Sequence, residues 1–338
     1  MKKIICIILT LLMLVPFAAC APEEEGLRTA LDLTAEWDKV TTPGSLVQGC
    51  VIVRKEFADA HPAEISKFLA DYKASVELVN NSPADAAKLI AAAGIIPKAA
   101  LAEKAIPNCN IEYIDGSEMK SALSKFYETL YAVNPAAIGG AIPGDGLYYS
   151  AKENAGTPDT ELEIKVTVLS GTTGMGMAPM IAGDKNADSL NCKFTVVSEA
   201  TAIPAAIISG TTDIAAVPTN LASTLYKKTN GGVYVLALNT RGVLYLLEDG
   251  NTVKSVADLK GKTVYVPGAG TNPEYILKYI IEKNGLKVGE DVTFDYTYGT
   301  PDALAKAVQS GLVKLALLPE PKVTVVKTAV AAAAATTK

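Results

Sequence analysis

The chain has little of what metal centres and disulfide frameworks require. Its 338 residues include one histidine, one tryptophan and five cysteines. Cys6 and Cys20 lie near the amino terminus, which leaves Cys50, Cys109 and Cys192 for the body of the protein. Three widely spaced thiols do not form a disulfide framework, and whether Cys109 pairs with Cys192 stays open.

Charge of one sign does not dominate, and no basic stripe is present. The 31 Lys and Arg residues stand against 36 Asp and Glu residues, which gives a formal net charge of −5. Nucleic acid is therefore not expected as a partner. The only histidine, His61, precedes Pro62 at a predicted helix start, so we expect a capping or surface role rather than metal binding. No motif implies a metal ion or a cofactor.

The first twenty residues are typical of a secretory signal. Two lysines precede the apolar run IICIILTLLMLVPF, which is followed by Ala-Ala-Cys ending at Cys20. This end resembles a bacterial lipobox, in which the cysteine thiol receives the lipid. No later stretch reaches the roughly 20 apolar residues that span a bilayer. We expect an extracytoplasmic protein anchored by lipid at Cys20 to the outer side of the membrane. An ordinary signal peptide with an incidental cysteine is the alternative.

Short apolar segments alternate with helical segments from Glu161 onward. LEIKVTVLS, CKFTVVS, DIAAVP, VYVLALN and VKLALLPEP are typical of buried strands, and stretches such as AIPAAIISG and TNPEYILKYIIEKNGL are typical of helices. This alternation predicts an α/β fold with mostly parallel sheets. Earlier in the chain, LRTALDLTAEWDKV and LVQGCVIVRKEF are predicted to be strands or strand-like arms, and residues 61–130 to be successive helices. Residues 139–160 are rich in Gly, Pro and Asp and predict a linker.

Several segments resemble one family. They are SVADLKGKTVYVPGAGTNPEYILKYIIEKNGL, SGTTDIAAVPTNLAS, TPDALAKAVQSGLVKLALLPEP and GCVIVRKEFADAHPAEISKFLADYKASVELVNNSPADAAKLI. All resemble ABC-transporter solute-binding proteins of the nitrate/sulfonate/taurine and thiamine-precursor branch. The resemblance implies a type II periplasmic-binding-protein fold, with two α/β lobes around a hinged central cleft. One lobe would comprise residues 48–150 and 161–245, and the other residues 21–47 and 246–338.

The segments stand in an order that differs from the family's. There, the segment like ELEIKVTVLSGTTGM follows the lipidated cysteine and the segment like VIVRKEF comes last, whereas here the last part precedes the first. GLYYS resembles a natural carboxyl terminus and AKENAGTPDTE resembles a spacer after lipidation, so residues 151–160 would join former termini. The order is that of a circular permutation, which surface termini tolerate. Whether it is natural, engineered or an assembly artefact stays open.

The ends of the predicted strands supply candidates for ligand binding. In α/β sheets, ligands bind beyond the carboxyl ends of strands, where the next helices begin. Small, hydroxyl and amide residues at such helix starts suit a carboxylate, sulfonate or phosphate group, although the hydroxyls would equally serve as helix caps. The candidates in these loops are Ser170, Gly171, Thr172, Thr173, Thr219, Asn220, Gly268, Gly270, Thr271 and Asn272.

Four other residues are candidates for ligand contact, three of them with a structural alternative. Arg241, at a strand end, would pair with an anion, or it is a surface or hinge arginine. Glu320, between two prolines, would accept a hydrogen bond from a ligand amine or ring N–H, or it is a solvated loop carboxylate. Trp37 would stack on a ligand, or it packs in the core. Gln48 is a weaker candidate near the return crossing between the lobes.

The resemblance implies a binding protein rather than an enzyme. We expect it to capture a small organic solute, anionic or aromatic, by hinge closure and to deliver it to the permease subunits of an ABC importer. A monomer is expected. Two other functions stay open: an enzyme of thiamine-pyrimidine or menaquinone-precursor synthesis on the same fold, and a sensory binding module.

Overall fold

The computed structural model describes residues 26–152, 155–183 and 188–336. The predicted signal peptide and Cys20 lie outside these described residues. The strands are β1 (Leu27–Asp32), β2 (Val47–Arg54), β3 (Ile111–Ile114), β4 (Ile164–Leu169), β5 (Cys192–Val197), β6 (Ile214–Pro218), β7 (Val233–Arg241), β8 (Leu244–Asp249), β9 (Thr263–Tyr265), β10 (Thr293–Asp295) and β11 (Leu315–Pro319). The α-helices are α1 (Leu33–Val40), α2 (Lys55–Ala60), α3 (Pro62–Asn81), α4 (Pro83–Ala92), α5 (Ala99–Ala105), α6 (Gly116–Val133), α7 (Thr172–Met175), α8 (Ala178–Ala182), α9 (Ile203–Ser209), α10 (Thr219–Lys228), α11 (Asn272–Lys283), α12 (Pro301–Gln309) and α13 (Lys322–Thr336).

The strands form two separate sheets. One has six strands in the order β3-β7-β2-β6-β4-β5, and the other has five in the order β1-β8-β11-β9-β10. We call the six-stranded sheet with its helices the first lobe, and the five-stranded sheet with its helices the second lobe. The helices predicted within residues 61–130 are confirmed as α3 to α6, and they cover the first lobe.

Both sheets are mixed, whereas the sequence pattern predicted mostly parallel sheets. β4 is parallel to β5 and β6, and β9 is parallel to β10 and β11. In contrast, β2 is antiparallel to β6 and β7, and β8 is antiparallel to β1 and β11. The chain path explains the difference, because β2 and β8 are the first strands after each passage from one lobe to the other. Each of these two strands therefore begins beside the carboxyl ends of the parallel strands and runs in the opposite direction to them.

Two segments connect the lobes. One comprises residues 41–46, between α1 and β2, and the other comprises Gly242 and Val243, between β7 and β8. The side chain of Gln48 ties them together, since its Oε1 accepts a hydrogen bond from the Val243 N–H at 2.7 Å. Gly242 has no room for a side chain, because a Cβ there would lie 2.1 Å from Thr34 Oγ1.

An aromatic cluster packs across the boundary between the lobes. Trp37 of α1 is fully buried. Its ring centroid lies 5.7 Å from that of Phe126 on α6 and 4.9 Å from that of Tyr279 on α11. Its indole N–H donates to Ser45 Oγ at 2.9 Å. Because α6 belongs to the first lobe and α1 and α11 to the second, Trp37 joins the lobes next to a connecting segment.

Residues 33–40 form a helix where the sequence pattern predicted a strand. The Asp32 carboxylate accepts a hydrogen bond from the Thr34 N–H at 2.8 Å, which caps the first turn of α1. Leu33 and Trp37, four residues apart, then fall on one buried face of the helix. The strand prediction is therefore wrong for this half of the segment, because the cap overrides the local apolar pattern.

Three cysteines and the single histidine lie within the described residues, at positions that show what they contact. Cys109 precedes β3 and Cys192 begins β5, at opposite edges of the six-stranded sheet. Strands lie about 4.8 Å apart, so these edges are about 24 Å apart, too far for a disulfide. Burial raises the pKa of the Cys50 and Cys109 thiols. His61 stands at the start of α3 without a capping side-chain bond, and its ring packs on Phe57 at 4.7 Å.

Candidate functional site

A cleft of about 450 Å³ lies between the lobes. It is bordered by the junctions at which six strands end and the next helices begin: β4 with α7, β5 with α9, β6 with α10, β9 with α11, β10 with α12 and β11 with α13. The first turn of a helix leaves backbone N–H groups without intrahelical partners and carries partial positive charge. The cleft is therefore rich in hydrogen-bond donors and is suited to the anionic or polar end of a small molecule.

The loop after β4 forms part of the first-lobe wall. Gly171 in this loop has a φ of +101°, a conformation that glycine adopts without steric cost. A Cβ at Gly171 would lie 4.0 Å from Pro321 Cδ of the second lobe, so the two walls approach closely here. Asn239 of β7 holds the loop in place, because its Nδ2 donates to the Thr173 carbonyl at 3.1 Å.

At the base of the cleft, a chain of hydrogen bonds through Asn272, Thr219 and Val47 joins the two lobes, and we call this region the floor of the cleft. Asn272 begins α11 in the second lobe, and its Nδ2 donates to Thr219 Oγ1 of the first lobe at 3.3 Å. The Thr219 hydroxyl in turn donates to the Val47 carbonyl at 2.9 Å, at the start of β2. Asn272 is only 4% exposed, and its Oδ1 has no hydrogen-bond partner among the described residues.

Most of the candidates from the sequence border this cleft. The bordering candidates are Gln48, Ser170, Gly171, Thr172, Thr173, Asn220, Gly268, Thr271, Asn272 and Glu320. Thr271 also shapes its own loop, since its hydroxyl donates to the Gly268 carbonyl at 2.6 Å. The structure thus brings together residues from four loops that are far apart in the chain.

The other four candidates do not border the cleft. Trp37 is fully buried in the aromatic cluster between the lobes. Thr219 is fully buried beneath the floor and contacts Asn272 instead. Gly270 lies in the same loop as Gly268 and Thr271, and its N–H donates to the carboxylate of Glu274.

Arg241 is the fourth candidate that does not border the cleft. All three arginines of the chain form ion pairs away from the cleft lining. The pairs are Arg28 with Glu248 at 2.5 Å, Arg54 with Asp213 at 2.9 Å and Arg241 with Glu112 at 2.6 Å. Arg241 also donates to the carbonyl of Gly44 in a connecting segment. A cleft-bound anion would therefore be held by N–H groups and hydroxyls rather than by a guanidinium.

Carboxylates outnumber ammonium groups in the cleft lining. Glu199, Asp302 and Glu320 border it, together with a single lysine, Lys322. Lys322 Nζ donates to the Asp302 carboxylate where α12 and α13 begin, so this pair is neutralised within the second lobe. The remaining carboxylates favour a solute that also carries a positive or hydrogen-bond-donating group.

Glu320 is the most deeply buried ionisable group of the lining, at 3% exposure. Its two oxygens accept hydrogen bonds from the N–H and the hydroxyl of Thr324, at 3.1 and 2.9 Å. Burial raises the pKa of Glu320, partly offset by the Thr324 hydrogen bonds and by the positive charge of Lys327. Glu320 also borders a smaller pocket of about 280 Å³ on its other side, which includes Lys327 and Tyr245.

The raised pKa of Glu320 predicts a pH effect on stability. The native state holds this proton more tightly than the unfolded state, so stability falls as pH rises from the ordinary value of 4.5 through the raised pKa. We expect Glu320→Gln to remove that fall, as measured by urea unfolding across a pH series. Glu290→Gln, at an exposed position, is the matched control. Equal pH slopes for wild type and Glu320→Gln would contradict the assignment.

Two of the six junctions were missed from the sequence. Residues 198–201 follow β5 and residues 299–302 follow β10, and both border the cleft. The segments before them, CKFTVVS and VTFDYTYG, both have the apolar pattern of a strand, so the rule that found the other four junctions would have found these. Thr240, at the end of β7, also borders the cleft and follows no helix-start pattern.

The described residues lack two features. Among them, no group of three or more His, Cys, Asp or Glu side chains is arranged to hold a metal ion. None of the helices in the described ranges has the length and apolar character needed to cross a membrane.

Comparison with known families gives two matches. The model of an ABC-transporter phosphonate periplasmic substrate-binding protein matches residues 189–334. The chain has a two-lobed periplasmic-binding-protein fold. A model described as menaquinone biosynthesis matches residues 13–132. Neither a curated protein nor a solved structure is significantly similar to the chain.

The first match confirms the predicted fold class and supports the periplasmic-binding-protein family. It supports a solute-binding role for an ABC importer, and this role implies a small-molecule ligand, permease partners and an extracytoplasmic location. It also suggests a binding protein rather than an enzyme, although the menaquinone match points to enzymes as well. The matched range includes five of the six junctions that border the cleft.

Proposed function

We propose that this protein is an extracytoplasmic solute-binding lipoprotein that captures a small organic solute between its lobes and delivers it to an ABC importer. The observation that carries the proposal is the cleft itself, bordered from both lobes by helix starts. Those starts supply N–H donors, and the loop at residues 170–173 adds three hydroxyl groups. Such a site binds without covalent chemistry.

The lining favours a solute with two kinds of polar group. Helix starts and hydroxyls suit a tetrahedral or planar anion such as a phosphonate, sulfonate or carboxylate. Glu199 and Glu320 suit a donor-bearing group at the other end of the same molecule. The phosphonate match supports the anionic part of this solute. The nitrate/sulfonate/taurine and thiamine-precursor branch stays a prediction, as does an aromatic solute.

Closure of the two lobes is the proposed mechanism. Within the described residues two short segments connect them, so a change of backbone angles there would move one lobe relative to the other. A solute that contacts both walls binds the closed form more tightly and shifts the population toward it. The permease would then recognise the closed form. We propose that the protein acts as a monomer and that Cys20 carries the lipid.

The order of the segments bears on the anchor. In a circularly permuted chain with former termini joined at residues 151–160, lipid at Cys20 would be attached to the second lobe through residues 21–26. The proposed lobes remain residues 48–150 with 161–245, and residues 21–47 with 246–338. The strand content of the two sheets fits this division, because each sheet combines strands that come before residue 151 with strands that come after residue 160.

An enzyme on the same fold is the second candidate, because the menaquinone-biosynthesis model matches residues 13–132. Among the described residues, the cleft lining contains carboxylates and hydroxyls but neither histidine nor cysteine, which favours binding. Conversion of a candidate substrate by the purified protein, without a transporter, would support the enzyme. A sensory binding module would be supported by neighbouring genes for a receptor kinase instead of a permease and ATPase.

A thermal-shift screen tests the proposed function. The panel comprises phosphonates, sulfonates, nitrate, pyrimidines, aromatic carboxylates and amines. A compound at 100 times its dissociation constant is expected to add about 2.7 kcal/mol of stability. Asn220→Trp, which places an indole in the cleft, is expected to abolish the shift, and Lys228→Trp at the far end of the same helix is expected to retain it. No stabilising compound, or equal shifts in both variants, would contradict the proposal.

A further inference from the structure

Asn272 carries the one acceptor in the cleft lining that is buried and unpaired among the described residues. The residue is the first of α11, a helix of 12 residues, and it is 4% exposed. Its Oδ1 accepts no hydrogen bond. Buried side-chain acceptors are nearly always paired, so this atom requires an explanation in terms of what enters the cleft.

The hydrogen bonds around Asn272 fix which end of its amide is paired and which end is left without a partner. Thr219 uses its hydroxyl proton on the Val47 carbonyl at 2.9 Å, so its oxygen is left to act as an acceptor. Only the NH₂ group of Asn272 can donate to that oxygen, and the distance is 3.3 Å. A flipped amide would place two acceptors against each other. Thr219 therefore positions Asn272 with Oδ1 as the atom left to be satisfied.

We propose that Asn272 Oδ1 is a specificity-determining acceptor, which selects solutes that bring an N–H or O–H donor to the floor of the cleft. This inference rests on the proposed solute-binding function. It narrows the solute to a molecule with a donor as well as an anionic group. An anion without a donor would leave Oδ1 unpaired, as it is in the unliganded protein, and would therefore bind more weakly than an anion that supplies the missing hydrogen bond.

The same side chain lies at the contact between the lobes. Asn272 belongs to the second lobe and Thr219 to the first, so the amide is oriented only while the two lobes are together. A donor on the solute therefore completes a chain that runs from Val47 through Thr219 and Asn272 to the ligand. Asn272 would therefore take part both in recognising the donor of the solute and in holding the two lobes together.

Glu320 is another acceptor in the cleft, so the test uses a neutral donor. Hydroxymethylphosphonate and ethylphosphonate have similar size and the same charge, and only the first carries a hydroxyl donor. Calorimetry on the full-length protein is expected to show about tenfold tighter binding of hydroxymethylphosphonate. Asn272→Leu is expected to remove this preference. Thr219→Val is expected to weaken the preference, because the amide loses the partner that orients it.

A control at the far end of the same helix separates specificity from helix stability. Asn284, at the end of α11, donates to the Ile280 carbonyl and does not border the cleft. Asn284→Leu is expected to keep the tenfold preference. Urea unfolding without ligand gives a second readout, in which Asn272→Leu is expected to match or exceed wild type because an unpaired buried acceptor has been removed.

Three outcomes decide the matter. Loss of the preference in Asn272→Leu with unchanged or higher stability supports the proposal. An unchanged preference in Asn272→Leu overturns it and leaves the solute-binding function intact. If wild type binds neither phosphonate, a phosphonate as the solute is contradicted, and urea unfolding then decides the role of Asn272. Lower stability of Asn272→Leu than of wild type would make the residue structural and overturn the inference. Equal or higher stability of Asn272→Leu would support it.

Discussion

Replacing Trp37 with alanine is expected to lower the free energy of unfolding by about 3–5 kcal/mol. The indole is fully buried and contacts Phe126 of the first lobe and Tyr279 of the second. Its removal leaves a cavity between rigid helices, which cannot collapse around it without moving one lobe against the other. Urea unfolding followed by circular dichroism measures the effect.

Trp37→Phe is the matched control for this prediction. A phenyl ring keeps most of the packing and loses the hydrogen bond from the indole N–H to Ser45 Oγ, so a loss of about 1 kcal/mol is expected. A loss below about 1 kcal/mol for Trp37→Ala would show that the cluster does not hold the lobes together. The contact between Trp37 and Phe126 would then contribute little to the unliganded protein.

Gly49→Ala is expected to reduce both stability and solute affinity. A Cβ at this position would lie 2.2 Å from Asn239 Oδ1 and 3.0 Å from Thr240 Oγ1. Asn239 would have to rotate, which breaks its bond to the Thr173 carbonyl and displaces the cleft loop at residues 170–173. With Asn239 1% exposed, its unpaired amide would cost about 1–3 kcal/mol in unfolding free energy.

A double-mutant cycle identifies the route of that effect. Because Gly49 acts through Asn239, Gly49→Ala is expected to cost much less in an Asn239→Ala background. Gly144→Ala is the matched control, since a Cβ there meets no atom within 4 Å. Additive costs of Gly49→Ala and Asn239→Ala, or wild-type affinity in Gly49→Ala for the best compound of the thermal-shift screen, would contradict this account of the loop.

The sequence carried enough information for the strand-to-helix junctions because their chemistry is local. A buried apolar run followed by Gly, Ser or Thr and then a helical segment is visible within about ten residues, as in LEIKVTVLSGTTGM. The rule about carboxyl ends of strands then placed Ser170, Asn220, Thr271 and Asn272 at one cleft without any knowledge of the partners of these residues. The two missed junctions obey the same rule.

The roles of Arg241 and Trp37 depended on partners that no local pattern shows. Arg241 pairs with Glu112, which lies 129 residues earlier in the chain. Trp37 packs against Phe126 and Tyr279, which come from two other helices. A strand-end arginine and a lone tryptophan have the same local appearance in a binding site and in a core. Tertiary contacts alone distinguish them.

Local sequence patterns also could not predict which strands run parallel and which run antiparallel. Buried strands of either direction have continuous apolar sequences, as β2 does with VQGCVIVR. The antiparallel placement of β2 and β8 follows from the passage of the chain between lobes. Likewise, the unpaired Oδ1 of Asn272 becomes meaningful only when Thr219 is placed beside its NH₂ group.

A crystal structure with the compound that gives the largest stabilisation tests the central claim most directly. We predict that the compound occupies the cleft between the two sheets and contacts the loop at residues 170–173 from one lobe and the start of α11 from the other. A compound bound outside this cleft, or one that touches a single lobe, would contradict capture by closure.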